Sequence, residues 1–63
     1  MKFTICARLE KEVQDGTVVT RITWETEAEN MHAAIEKARA YTTIAERDES
    51  AVCVYVTVEA EDA

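Results

Sequence analysis

The sequence predicts an α+β fold: a two-layer sandwich of ββαβ order, with a three-stranded antiparallel sheet and one helix packed on one face. Three observations predict it. The segments "FTICARL" and "VVTRITW" alternate apolar and polar residues on either side of Asp15-Gly16, and an Asp-Gly pair between alternating runs is a strong hairpin signal. Asn30 stands before "MHAAIEKARAY", where apolar residues recur at helical spacing. Finally, "AVCVYVTVE" alternates valine with other residues over its whole length, as a strand does.

The first strand is expected over residues 2–13, with Phe3, Ile5, Ala7 and Leu9 on its inner face. The second is expected over 18–28, with Val18, Ile22 and Trp24 inward. A type I′ turn centred on Asp15-Gly16 sets Leu9 opposite Ile22, Ala7 opposite Trp24, Ile5 opposite Thr26 and Phe3 opposite Ala28. On the outer face it pairs Glu10 with Arg21 and Lys2 with Glu29, both of opposite charge. Thr26 and Glu29 also spell a capping box. The hairpin register favours Asn30 as the cap instead, with Met31, Ala34, Ile35, Ala38, Tyr41 or Thr42, and Ala45 as the buried stripe of a helix over 31–45.

The third strand is expected over 51–59. Val52, Val54, Val56 and Val58 point inward, while Cys53, Tyr55 and Thr57 point outward. Handedness of the crossover then gives sheet order 2-1-3. Ile5, Trp24, Ile35 and the four valines are the expected core.

Charge narrows the function. The 63 residues carry a net charge of −6, with 7 basic and 13 acidic residues, and most of the acid lies after Trp24. That sign disfavours direct binding to nucleic acid or to an anionic membrane and favours a protein partner with a basic surface. No apolar run approaches the ~20 residues needed to span a bilayer. The opening "MKFTICARLE" lacks the apolar stretch of a secretion signal, so cytoplasmic residence is the expectation. Cys6 and Cys53 belong to no CxxC pair and are expected as free thiols on the outer sheet face, with Cys6 opposite Glu25.

Catalytic chemistry finds little support. His32 is the single histidine, too little for a structural zinc site, and is expected on the helix surface. Ser50 has no histidine nearby in sequence, and one glycine cannot build a phosphate loop. No enzyme activity, metal or cofactor is expected.

The outer sheet face is the candidate site. Glu25, Glu27 and Glu29 on the second strand and Glu59 and Glu61 on the third share outward parity and one end of the sheet, flanking Lys2. Tyr55 is expected to add an apolar contact. Edge charges of this kind also serve solubility. The alternative expectation is a homodimer, or an oligomer subunit, that buries the outer face while the acids keep it soluble.

The layout "DGTVVTRITWETEAENMHAAIEKA" followed by "VCVYVTVE" resembles some small phage-encoded anti-CRISPR inhibitors, with a hairpin, one Ala-rich helix and a final strand. The resemblance covers most of the chain and implies a non-catalytic protein that blocks a nucleic-acid-binding effector. The opening "MKFTICARLEKEVQDG" is also similar to HicB-type antitoxin domains, but the extra strand and following motif expected there are missing. Neither resemblance transfers a functional residue.

Overall fold

The computed structural model describes residues 1–61. Strands β1 (Lys2–Val13) and β2 (Gly16–Glu27) form a hairpin, helix α1 spans Met31–Glu49, and β3 (Val52–Ala60) follows. The sheet order is β2-β1-β3 and both pairings are antiparallel, as the sequence predicts.

The central strand supplies the core. Phe3, Ile5 and Leu9 are fully buried and Ala7 is nearly so, because β1 alone has neighbours on both edges and a helix above. Along the helix, Ala34, Ala38 and Thr42 face the sheet. These residues recur every four positions and are small, so the helix axis can approach the sheet closely. The Thr42 hydroxyl is buried but satisfied, donating to the Arg39 carbonyl at 3.0 Å.

Trp24 is half-buried on β2 and meets Tyr41 of the helix edge-on, with ring centroids 5.7 Å apart and planes at 74°, a favourable aromatic geometry. Ile35 is not a core residue: it is 37% exposed on the helix flank. The apolar stripe is too wide for one helix to bury on a three-stranded sheet, and the alanines take the centre.

The hairpin register differs from expectation by two residues. Val13 pairs with Gly16, and Gln14 and Asp15 form the turn. Leu9 therefore faces Thr20, Ala7 faces Ile22, Ile5 faces Trp24 and Phe3 faces Thr26. A type I′ turn needs positive φ at both central residues. Here the positive value falls on Gly16 alone, at 144°, immediately after the turn. A slip of two residues leaves every side chain on its expected face, which is why hydrophobic patterning could not select between the registers. Charge pairing does change: Arg8 lies opposite Arg21, and its Nε finds Glu10 on its own strand at 3.2 Å.

The helix begins as predicted. Asn30 is extended and its Oδ1 accepts from the Ala33 amide at 2.9 Å. The helix runs one turn past the expected end because "ERDE" consists largely of residues that tolerate helix. It stops where Ser50 adopts the left-handed conformation at φ 52° and ψ 45°. The Ala51 amide then donates to the Glu46 carbonyl at 3.0 Å, closing the helix end.

Strand β3 carries a β-bulge. Its pairing with β1 runs regularly from Phe3–Ala60 to Arg8–Tyr55, then jumps to Leu9–Cys53, leaving Val54 as the extra residue. The expected alternation holds for Val56 and Val58 and fails before them. Cys53 shares a face with Leu9, so it points toward the helix and away from the face that carries Cys6. Val52, Val54 and Val56 are exposed rather than core. The bulge is anchored by Glu46, whose Oε2 accepts from the Cys53 amide at 2.8 Å.

Candidate functional site

The antiparallel pairings bring the strand ends of β2 and β3 to the same end of the sheet, on either side of the start of β1. Thr4 is flanked by Glu25 on β2 and Glu59 on β3. One pleat further, Lys2 faces Glu27, and the Glu61 amide donates to the Lys2 carbonyl at 2.9 Å. Four of the five predicted glutamates thus gather on one sheet end around a single lysine.

Lys2 does not neutralise them. Its Nζ lies 3.8 Å from Glu25, an exposed pair of the kind that contributes little. Glu25 and Glu61 reach toward each other across β1, which separates their strands. The Glu25 carboxyl, as a hydrogen-bonding neighbour first, then desolvation and the Glu25 charge, raises the pKa of Glu61 above its ordinary value. Lys2 opposes the shift and Glu27 adds to it. The upward direction follows because two neighbouring carboxylates disfavour full ionisation.

Glu29 is not part of this group. The strand ends at Glu27, and Glu29 lies in the bend before the helix. There it lines a shallow cleft of about 530 Å³ that borders the acidic end at Glu27 and includes Met1, Ala28, Ala33 and Lys37. Lys37 closes one side by donating to the Glu27 carbonyl. The expected pairing of Lys2 with Glu29 is replaced by pairing with Glu27, a direct result of the two-residue register difference.

Tyr55 points outward as expected and is 49% exposed, but it stands beside Arg8, away from the acidic end. Four residues separate it from Glu59, roughly 13 Å along a strand. Between the two levels lie Cys6 and Thr57. The outer face therefore divides into an acidic end and a middle where Arg8 and Arg21 lie side by side with Tyr55. Nothing in the alternation of single strands showed this division, because it depends on register.

The two thiols lie on opposite faces of the sheet. Cys6 sits opposite Thr23 rather than Glu25, and the Thr23 hydroxyl donates to its sulfur at 3.7 Å. Burial, and next the Glu46 carboxylate, push the Cys53 thiol upward, with the Tyr55 carbonyl contact pulling the other way. His32 is exposed and lies 3.2 Å from Glu36 one turn on. Among the described residues no His, Cys, Asp or Glu cluster has the arrangement of a metal site. Among the described residues no helix is long and apolar enough to cross a membrane.

A second concavity of about 330 Å³ lies between the helix and β2, lined by Ile22, Trp24, Tyr41 and Ala45. Comparison with family models, with curated proteins and with solved structures finds no match for the chain. Its geometry and charge are the basis on which function can be read.

Proposed function

We propose that the chain is a small non-catalytic inhibitor that binds a basic, nucleic-acid-binding protein through the acidic end of its sheet. The gathering of Glu25, Glu27, Glu59 and Glu61 around Lys2 is the observation that carries this reading. Carboxylates held on adjacent strands are spaced by the strand separation of ~4.8 Å and the two-residue repeat of ~6.6 Å. Successive phosphates along a nucleic-acid strand are separated by distances of that order, so arginines and lysines set to receive phosphates can receive these groups. The contact would be steered by long-range attraction and weakened by salt. The layout resemblance to phage anti-CRISPR inhibitors supports the same class of partner. Glu29 extends the acidic surface toward the helix, and Tyr55 lies outside the contact's centre.

The homodimer that buries the outer face finds less support. Its middle would carry Arg21 directly opposite Arg8, whose Nε is paired with Glu10, into a desolvated interface where charge is costly.

The test compares the chain with a variant in which Glu25, Glu27, Glu59 and Glu61 are all glutamine. Both are used as bait in lysate of the source organism or its host. The reading predicts nucleic-acid-binding proteins that are retained by the original chain, released by salt or by added duplex DNA or RNA, and lost from the variant. Equal retention by both baits, or retention indifferent to nucleic acid, refutes it.

A further inference from the structure

The exposed edge of β3 is the least protected surface of the molecule. Strand edges normally carry charge, proline or a covering element that prevents pairing with another chain. From Val52 to Val58 this edge strand has no charged residue. Val52, Val54, Tyr55 and Val56 are between 37% and 62% exposed. The bulge disturbs only its beginning, so Tyr55–Ala60 is regular strand. The opposite edge, β2, differs: Arg21, Glu25 and Glu27 punctuate its outer face.

The helix extends the same apolar strip. Glu46 reaches Cys53 of β3, and Ile35 lies about three turns before it on the same flank of the helix. Ile35 is 37% exposed, so its apolar surface lies along the flank that borders β3.

We propose that the occupant of this edge is a second copy of the chain, with β3 pairing antiparallel to β3 of its partner about a two-fold axis at Thr57. The sequence is self-complementary in that register. Thr57 meets its own copy, a favourable cross-strand pair, and Val56 meets Val58 on the inner face twice. Val54 meets Ala60. Glu59 falls opposite Tyr55 and not opposite another glutamate, so no like charges are directly paired. Moving the axis to Glu59 would set glutamate against glutamate. Moving it toward Tyr55 would run the ladder into the bulge.

The product is a continuous six-stranded sheet with both helices on one face, a sheet size common in globular domains. The contact is isologous, as closed dimers require. It leaves Glu25 and Glu27 on the far edge of each protomer's sheet uncovered but engages the strand that carries Glu59, so self-association is measured on the chain alone, apart from any binding partner.

Sedimentation of the full chain from low to high micromolar concentration provides the test, with a dimer expected at twice the 7.1 kDa chain mass. Val56→Lys places a charge against the partner's Val58 and is expected to weaken dimerisation at least ~10-fold, with circular dichroism checking that the variant folds. Thr57→Cys, like its Thr23→Cys control made in a Cys6→Ser background because Cys6 lies directly opposite both positions, probes the axis without a core change. Directly opposed strand residues have Cα atoms about 4.5–5.5 Å apart, within disulfide range. Oxidation should yield a dimer whose disulfide maps to position 57 in both copies, whereas Thr23→Cys on β2 should yield none. A monomer at every concentration overturns the proposal. So does a dimer unaffected by Val56→Lys in the folded variant, or one crosslinked through the Thr23→Cys site instead.

Discussion

Replacing Glu46 tests the account of the β3 bulge. Its carboxylate accepts from the Cys53 amide at 2.8 Å in a partly buried position. A hydrogen bond to a charged group contributes about 1.5–3 kcal/mol, and a neutral one about 1 kcal/mol. Glu46→Ala removes the acceptor and should cost about 2 kcal/mol. Glu46→Gln keeps an oxygen there and should cost roughly half as much.

A domain of this length has a total stability of roughly 3–9 kcal/mol. The alanine variant should therefore lose a substantial fraction of it and melt about 8–16 °C lower. Thermal and urea unfolding give the magnitude, and hydrogen exchange at Cys53 gives the location. The Glu46 charge also raises the Cys53 thiol pKa, so both variants should alkylate faster at Cys53 under mildly alkaline native conditions. An alanine variant with unchanged stability and a still-protected Cys53 amide would refute the assignment of Glu46 as the bulge's anchor.

Three further outcomes are expected. Phe3→Ala, at a fully buried position, should cost about 3–5 kcal/mol, enough to abolish a cooperative unfolding transition at 37 °C. Ser50→Gly should stabilise the fold by about 1 kcal/mol in urea unfolding, because Ser50 is held at φ 52° where a side chain is penalised. The Glu61 pKa is raised in the folded chain, so its contribution is fully present below the unfolded value near 4.5 and disappears as pH rises through the folded value. Glu61→Gln or Glu25→Gln should flatten that part of the pH dependence of Tm.

The sequence made the element order, the sheet order and the helix cap legible because each has a local signal. Asn30 is followed at the right spacing by an amide to bind, and β1 alternates from Phe3 to Leu9. The hairpin register was not legible. Registers two residues apart bury the same side chains, and they differ in the turn residue that takes positive φ and in which exposed charges face each other. The bulge was hidden for a related reason: valines at 52, 54, 56 and 58 make alternation look unbroken, while the deciding contact comes from Glu46, seven residues before Cys53. At the candidate site, parity put Glu25, Glu27 and Glu59 toward one end of the sheet, where the register sets Glu25 and Glu59 on either side of Thr4. Glu29 and Tyr55 were separated from them by the strand's end and by register.

The sheet order sets a schedule for the chain during synthesis. The central strand β1 is made first, and β2 follows at once to cover one side of it. The strand that covers the other side, β3, is synthesised about fifty residues after β1, several seconds later at ordinary rates of translation. Throughout that interval β1 offers a free edge beside the residues that will become the core. A nascent chain, or one cut short before Val52, would carry an unfilled strand position into which any extended segment could insert.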